Sequence, residues 1–358
     1  MRIVIVQAGL GAGGAEKIVN MLAHHRLELG DRVDVIAVNA PTADSFFPYE
    51  DAITIHALGG DSRGRLDGNL IRLRRLRQRL QMLQPQLVIS FLTKINAMVG
   101  IATIGLDTST IMSERNNFTA QQMHPAWRLL SRAFVGRAAN LVMQTEPARA
   151  SLPNRLKRRA VVIPNPVTPT PVNGRTQREH PKFVAVGRLE RQKGFDLLLE
   201  AFARAADKLP SASLTIFGDG PERPALKCLA ERLGISDRLI MPGTTRTPQE
   251  WLEAGSIFVL SSRFEGFPNV LLEALLTGMA TVSFDCPWGP SEIFRNEEGY
   301  PLVPAADVDA LASALVRVAT DPETKRRLEN MGPRVAARFS ESSVFAQWDG
   351  LIDRTVTH

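Results

Sequence analysis

Both the fold and the candidate site follow from one stretch of the sequence, Ser261-Ser262-Arg263-Phe264-Glu265-Gly266-Phe267-Pro268-Asn269-Val270-Leu271-Leu272-Glu273-Ala274-Leu275. The apolar run 257–260 that precedes it predicts a buried strand. Gly266 and Pro268 then turn the chain into a helix over 270–276, with Pro268 at the first helical position. The stretch is therefore a strand, a loop and a helix, the repeating unit of a parallel α/β sheet.

The start of this helix is predicted to bind an anion. The backbone N–H groups of Asn269 and Val270 would be free there, and the helix dipole favours a diphosphate at that end. Glu265 in the loop and Glu273, eight residues further on, flank the position, and carboxylates accept hydrogen bonds from hydroxyls. Hydroxyls on both sides of a diphosphate are the layout of a sugar nucleotide. A pair of solvated carboxylates is the alternative interpretation.

A second stretch, 183–195, supplies two cations. Gly187 and Arg188 follow a predicted strand, and Lys193 precedes the next predicted helix. These are the positions of a phosphate-binding loop, and no acidic cluster lies nearby in the sequence to hold a metal ion instead. Arg188 and Lys193 are thus candidates to hold the diphosphate; ordinary loop charges are the alternative.

Together the two stretches resemble the retaining nucleotide-sugar glycosyltransferases of the GT-B fold, of the family 4 type, whose motifs are G-R-x4-K and E-x7-E. The resemblance extends to 218–221, to Pro242-Gly243 and to a glycine loop near the N-terminus. It implies an α/β protein with two doubly wound, Rossmann-like parallel-sheet domains facing across a cleft. It also implies a donor site with the catalytic residues Arg188, Lys193 and Glu265 and the donor-binding residues Gly13, Gly14, Gly187, Asn269, Val270 and Glu273.

Length and composition fit such an enzyme. A chain of 358 residues suggests about two domains. Cys228 and Cys286 lack metal-type spacing, which indicates a reducing compartment, and neither a signal peptide nor an apolar run of about twenty residues is present. We therefore expect a cytoplasmic protein. The net charge of +6 favours anionic lipid, nucleic acid or phosphorylated substrates as partners.

Strands and helices alternate along most of the chain, which predicts parallel sheets with helices on both faces. We expect an N-terminal acceptor-binding domain over 1–166, a linker over 167–180 and a C-terminal nucleotide-sugar-binding domain over 181–339. A final helix over 340–358 is expected to pack back on the N-terminal domain. The predicted strands cover 3–7, 33–39, 53–58, 87–91, 110–113, 141–144, 182–186, 214–217, 239–241, 257–260 and 280–284.

The N-terminal loop contains G-x-G-x-x-G at Gly9, Gly11 and Gly14. In a dinucleotide oxidoreductase an acid at the end of the second strand would hold the ribose, but that strand ends in Asn39 and Ala40. The missing acid weighs against a dehydrogenase. In the glycosyltransferase interpretation the Gly13-Gly14 turn lets the backbone approach donor phosphate, and a tight packing turn is the alternative.

The arginine-rich stretch 63–80 predicts an amphipathic helix. Its buried stripe is expected to be Leu66, Leu70, Leu73, Leu80 and Leu83. Arg72, Arg75 and Arg79 would share the opposite face, either as solvated charge or as an acceptor-binding track for anionic lipid headgroups or a polyprenyl diphosphate. No aromatic residues interleave these arginines, which disfavours nucleic acid.

A further acceptor-phosphate contact is expected from Arg115, in the polar turn after the strand 110–113. A loop charge is the alternative interpretation. Many relatives place a histidine in the loop after Phe91, close to the transferred sugar, and this sequence has none there.

The loop 284–293 is similar to that of bacterial transferases that build lipid-linked oligosaccharides, capsules and exopolysaccharides. The resemblance implies transfer of a hexose or N-acetylhexosamine from a nucleotide diphosphate sugar, with UDP as the nucleotide, to a sugar on polyprenyl diphosphate. It implies a peripheral enzyme on the inner face of the cytoplasmic membrane, without metal and with no cofactor besides the nucleotide sugar. A GT-B sugar-nucleotide epimerase and a non-catalytic sugar-nucleotide or lipid-binding protein are the alternatives.

Overall fold

The structure is a computed structural model that describes residues 1–60, 65–115, 129–130, 133–172, 180–245, 247–295 and 302–357. The chain forms two compact units. The first contains Met1–Pro166 and Ser342–His358, and the second contains Val167–Glu341. The chain therefore crosses from one unit to the other twice.

The first unit is built on a parallel sheet of seven strands in the order β3-β2-β1-β4-β5-β6-β7. Helices cover both faces, so the central strands read as continuous apolar runs and are buried along most of their length. The strands are β1 (Arg2–Gln7), β2 (Arg32–Ala37), β3 (Thr54–Ala57), β4 (Leu87–Phe91), β5 (Ser109–Ser113), β6 (Asn140–Met143) and β7 (Ala160–Val162).

Six described helices belong to the first unit: α1 (Gly14–Glu28), α2 (Arg65–Leu83), α3 (Thr93–Ala102), α4 (Glu146–Ala150), α5 (Asn154–Lys157) and α13 (Glu341–Val356). The last of them comes from the end of the chain. Its apolar stripe, which includes Phe345, Trp348 and Ile352, is buried against the central strands. Residues 342–357 thus complete the core of the first unit.

The second unit repeats the plan with six parallel strands in the order β10-β9-β8-β11-β12-β13. In both sheets the order reverses beside the first strand of the unit, and ligands of such sheets bind at the carboxyl ends of the strands at that reversal. The strands are β8 (Lys182–Val186), β9 (Ser213–Phe217), β10 (Leu239–Gly243), β11 (Ile257–Leu260), β12 (Ala280–Asp285) and β13 (Leu302–Pro304).

Two pairs of helices flank this sheet, α6 with α11 and α9 with α12. Each pair buries an apolar stripe against one side of the sheet. The described helices are α6 (Phe195–Ala205), α7 (Arg223–Arg232), α8 (Pro248–Ala254), α9 (Asn269–Leu276), α10 (Pro290–Ile293), α11 (Val308–Thr320) and α12 (Pro322–Ala337).

The predicted fold class, two parallel-sheet α/β domains, is confirmed. The strands β7 and β13 were not predicted, because each has three residues, too few to show a period. The start of the predicted linker is packed structure: Val167 is buried, and its N–H donates to the Phe339 carbonyl (2.8 Å). Residues 173–179 of that linker lie outside the described residues.

The predicted faces of α2 are wrong in part. Leu80 and Leu83 are buried as predicted, but Leu70 is 61% exposed and Leu76, which was not predicted, is buried. The side chain of Leu66 lies outside the described residues. Successive helical residues turn by about 100°. The arginines Arg72, Arg75 and Arg79 therefore flank the buried stripe instead of lying opposite it. Across the described part of the chain, no helix is long and apolar enough to span a membrane.

Candidate active site

Two neighbouring strands of the second sheet place the candidate site. Strands β8 and β11 pair in parallel at the reversal of strand order. The loop after β8 carries Arg188 and Lys193, and the loop after β11 carries Glu265. The two motifs are thus adjacent because the carboxyl ends of paired parallel strands meet at one edge.

A mostly buried ion pair joins the two loops. Lys193 Nζ donates to Glu265 Oε1 at 2.7 Å, and the hydroxyl of Ser262 donates to the same oxygen at 2.6 Å. Within the described residues both hydrogen bonds fall on Oε1, which leaves Oε2 to accept from a ligand. The site therefore presents one fixed cation and one fixed acceptor side by side.

Backbone contacts hold the two loops at a set distance. Gln192 Nε2 donates to the Phe264 carbonyl (3.0 Å), and Ser261 Oγ donates to the Lys193 carbonyl (3.0 Å). Between them, Gly194 has φ of 61°, and a Cβ added there would lie 2.1 Å from the Ser261 carbonyl oxygen. Only glycine fits this crossing of the two loops.

A bidentate ion pair next to the crossing was not recognised in the sequence. Arg263 Nη1 and Nη2 donate to the two carboxylate oxygens of Asp196, each at 2.7 Å, and so tie the first turn of α6 to the loop after β11. Burial acts to raise the pKa of Asp196, but the hydrogen bonds and charge of Arg263 prevail and leave that pKa below its usual value. Two unlike charges 67 positions apart give no local signal.

Arg188 lies apart from the ion pair. Its side chain is 69% exposed and donates to Glu190 at 3.1 Å. Its neighbour Gly187 is held closely, because a Cβ on Gly218, whose φ is 138°, would lie 1.9 Å from the Gly187 carbonyl oxygen. The structure therefore fixes the loop backbone and leaves the guanidinium in solvent.

The helix start differs from the prediction in two details. Pro268 is the N-cap and α9 begins at Asn269. The Asn269 N–H is not free, because it donates to the Phe267 carbonyl at 3.0 Å. An anion contact there would rest on Val270. Glu273 lies one turn inside the helix and is buried.

A third loop, after β12, packs against the backbone and Cβ of Glu265. The Glu265 N–H donates to the Pro287 carbonyl at 3.2 Å, and a Cβ on Gly289 would lie 3.1 Å from the Glu265 Cβ. Trp288 between them has φ of 76°, an uncommon conformation for a bulky residue. Buried in the same loop, Cys286 has a thiol pKa raised by burial and by the charge of Glu265.

The glycine loop of the first unit carries an acid at its helix start. Gly13 is the N-cap of α1, and a Cβ on Gly13 would lie 2.1 Å from Glu16 Oε2. Burial raises the pKa of Glu16. A donor phosphate at Gly13 and Gly14 would therefore meet this carboxylate.

Two cationic side chains, those of Lys94 and Arg72, lie near each other beside the carboxyl edge of the first sheet. Burial and the nearby charge of Arg72 lower the pKa of Lys94, in the first turn of α3. Arg75 is instead engaged with the protein, since its Nη1 donates to the Leu58 carbonyl at 3.0 Å. The three arginines of α2 thus have different surroundings and form no uniform track; Arg79 is half-buried.

Arg115, predicted to contact acceptor phosphate, is buried, with 6% of its surface exposed. Its Nη1 donates to Asn165 Oδ1, and its guanidinium lies 5.0 Å from the Phe91 ring and 5.6 Å from the Trp348 ring. Burial lowers the pKa of Arg115 to about 9, while the charge of Glu114 acts to raise it. Each cation–π contact stabilises the guanidinium by about 0.5–2 kcal/mol, whereas burying its charge costs roughly several kcal/mol. The two ring contacts alone therefore do not offset the burial of this charge.

Two parallel-sheet units of this strand order, with the G-R-x4-K and E-x7-E loops at the reversal of the second sheet, define a glycosyltransferase of the GT-B class. The sequence profile "Glycosyltransferase Family 4" matches residues 12–170, and "Glycosyl transferases group 1" matches residues 171–335. The chain belongs to the family 4 type of these glycosyltransferases, as the sequence motifs predicted. Among the described residues no group of three His, Cys, Asp or Glu could hold a metal ion.

Two curated relatives and one solved structure illustrate the similarity. An uncharacterized glycosyltransferase of Haemophilus influenzae is 25% identical over 95% of this chain and 96% of its own. The N-acetylgalactosamine-N,N'-diacetylbacillosaminyl-diphospho-undecaprenol 4-alpha-N-acetylgalactosaminyltransferase of Campylobacter jejuni is 29% identical over 46% of this chain and 44% of its own. Anabaena HepE, solved with UDP and glucose, superimposes with a TM-score of 0.83 at 16% identity, covering 99% of this chain and 100% of its own.

Proposed function

We propose that the protein is a retaining glycosyltransferase that moves a hexose or an N-acetylhexosamine from a UDP-sugar to a sugar carried on polyprenyl diphosphate. The ion pair between Lys193 and Glu265 carries this proposal, because it sets a cation beside a hydroxyl acceptor at the reversal of the second sheet. The UDP bound in HepE and the diphospho-undecaprenol in the name of the Campylobacter relative support the choice of donor and acceptor.

In the proposed reaction the bond between the sugar C1 and the diphosphate oxygen breaks, and the acceptor hydroxyl attacks C1 on the same face. The acceptor proton passes to the leaving phosphate. Lys193 and Arg188 stabilise the charge that develops on the diphosphate, and Glu265 Oε2 accepts a hydrogen bond from the sugar. Glu273 holds the ribose diol. The protein groups therefore position and stabilise charge without forming a covalent bond to the sugar.

Lys193, Arg188 and the Val270 N–H together take the place of a divalent cation at the diphosphate in this proposal. We further propose a cytoplasmic enzyme that binds peripherally at the inner face of the membrane, supported by the arginines of α2 and the net charge of +6. Metal-free transfer and membrane binding can be measured separately.

The test incubates the protein with a panel of radiolabelled nucleotide sugars and membrane lipid extract, with and without EDTA. Label from a UDP-sugar should enter the lipid fraction in both conditions. Lys193→Met should lower the rate by about a hundredfold or more, as expected when a preorganised charge is removed, while Lys182→Met, at the exposed start of β8, should not.

Other outcomes would replace the proposal. Isomerised or hydrolysed sugar nucleotide without lipid label would indicate the epimerase, and nucleotide binding without turnover would indicate a binding protein. Loss of transfer in EDTA, restored by magnesium, would contradict the metal-free site.

A further inference from the structure

The buried guanidinium of Arg115 has donors that the protein does not use. Among the described residues, Nε and Nη2 have no hydrogen-bond partner and no exposed surface, while Nη1 donates to Asn165. Nε and Nη2 are the two nitrogens of one edge of the guanidinium, the edge that binds carboxylates and phosphates through two parallel hydrogen bonds. The unused donors therefore form a geometry that is specific for an oxyanion.

Two further donors face the same side of the first sheet. The Ser113 hydroxyl and Trp348 Nε1 are also buried and have no partner within the described residues. Ile111 on β5 packs in one core cluster with Trp348, and side chains alternate along a strand, so Ser113 points to the same side as Ile111. Arg115 contacts the ring of this Trp348, at 5.6 Å from its centroid.

In the described part of the chain, no carboxylate accepts from Nε or Nη2 of Arg115. Glu114, whose charge acts on Arg115, accepts from the Arg115 backbone N–H at Oε1 (3.1 Å) and from Thr93 Oγ1 at Oε2 (2.6 Å). The guanidinium contacts a neutral amide, that of Asn165, and two neutral rings, those of Phe91 and Trp348. Buried cations are normally paired, so an anion is the missing partner.

We infer that Arg115, Ser113 and Trp348 bind a phosphate group at the carboxyl end of β5. Two phosphate oxygens accept from Nε and Nη2 of Arg115, and the remaining oxygens accept from the Ser113 hydroxyl and Trp348 Nε1. The phosphate is either a free ion held within the first unit or one phosphate of a diphosphate-linked acceptor. Only the second source rests on the proposed function.

Titration with inorganic phosphate tests the site on the whole chain. Calorimetry and thermal unfolding should show saturable binding to the wild type above a sodium chloride control of equal ionic strength. Long equilibration is needed, because Nε and Nη2 have no exposed surface. Arg115→Met should weaken binding at least about tenfold, since the two charge-assisted hydrogen bonds are lost. Trp348→Phe and Ser113→Ala should weaken it less.

Arg115→Lys keeps the charge but removes the two-nitrogen edge, so it should also lose about tenfold and serves if the methionine variant does not fold. Arg74→Met removes an exposed arginine of α2 in the same unit and should bind phosphate as the wild type does. Absence of phosphate binding to the wild type, or equal binding by the Arg115 variants, would overturn the inference and leave ordered water as the partner of these donors.

A second titration with citronellyl diphosphate separates the two sources. Competition with inorganic phosphate, lost in the Arg115 variants, would identify the site with the acceptor diphosphate. Phosphate binding that citronellyl diphosphate does not displace would identify a free ion held by the fold. Neither titration measures glycosyl transfer, so a failed transferase assay leaves the phosphate site standing, and a failed titration leaves the proposed function standing.

Discussion

Glu265 and Glu273 lie in one motif but have different surroundings. Glu265 accepts from Lys193 and Ser262 on one oxygen, whereas Glu273 lies inside α9. We predict that Glu265→Gln lowers kcat by about a hundredfold with little change in UDP affinity, because it weakens the hydrogen bond to the transferred sugar, a group that UDP itself lacks. Glu273→Gln should instead weaken UDP binding about tenfold through the ribose. Calorimetry with UDP and steady-state kinetics measure both, and equal effects on both quantities would contradict the assignment.

The two cysteines should differ in reactivity. Cys286 is buried behind Glu265, with a pKa raised first by burial and then by that charge, whereas Cys228 is exposed on α7. Thiolate is the reactive form of cysteine. We predict that a disulfide reagent labels Cys228 alone in the native protein and both thiols after denaturation. Cys228→Ser is the control, and rapid native labelling of that variant would show that the loop after β12 opens.

At the scale of elements, the Arg263–Asp196 clamp should make stability depend on pH. The pKa of Asp196 is lowered in the folded state, so its contribution is present above its unfolded pKa of about 3.9 and is lost as pH falls through the folded value. We predict that Asp196→Asn destabilises the second unit at neutral pH and matches the wild type in strong acid. Urea unfolding across this range measures it.

The matched control for the clamp is Asp207→Asn, an exposed acid in the turn that follows α6. It should follow the wild-type pH profile throughout. An Asp196→Asn profile parallel to the wild type below pH 4 would show that the clamp does not contribute.

Helix α2 supplies the membrane prediction. Replacing Arg72, Arg75 and Arg79 with Gln removes three charges and leaves the buried leucines untouched. Each lost charge near an anionic surface should cost about 1 kcal/mol, so vesicle binding should fall by roughly two orders of magnitude at low salt. Flotation with anionic vesicles measures it, and nucleotide affinity should not change.

The control for this triple variant removes the same charge from the second unit, by replacing Arg326, Arg327 and Arg334 of α12 with Gln. Equal loss in both variants would indicate a response to net charge only. If the α2 variant binds vesicles as well as the wild type does, the three arginines do not contribute to membrane binding. Their role would then be structural, as the hydrogen bond from Arg75 to the Leu58 carbonyl is.

Some elements of the fold could be predicted from the sequence and others could not. The long strands and the pairing of the two motif loops were predictable, because apolar runs and glycine turns are local signals. The buried face of α2 was not predictable, because Leu70 and Leu76 both fit a helical period and only the packing of the folded unit buries Leu76 and exposes Leu70. The Arg263–Asp196 pair and the burial of Arg115 depend on contacts between distant segments, which no local pattern records.

At the scale of the whole molecule, the first unit depends on the end of the chain. Trp348 of α13 is fully buried and packs near Phe91, with ring centroids 6.0 Å apart. We predict that Trp348→Ala destabilises the first unit by about 3–5 kcal/mol. Hydrogen exchange should accelerate in β1, β4 and β5 and stay unchanged in β8 and β11.

The reciprocal variant is Trp251→Ala, whose side chain is buried in the second unit. It should accelerate exchange in β8 and β11 and leave the first sheet protected. Loss of protection throughout the chain in either variant would show that the two units unfold as one.

The two crossings make the second unit an insertion within the first. A ribosome therefore releases all of 167–341 before it releases the helix that closes the first core. The inserted unit can finish folding while the first still lacks Phe345, Trp348 and Ile352 and exposes the apolar face that they cover. The first unit is thus synthesised first but completes its folding last. Because its apolar face stays exposed in the meantime, it is the unit that would need a chaperone.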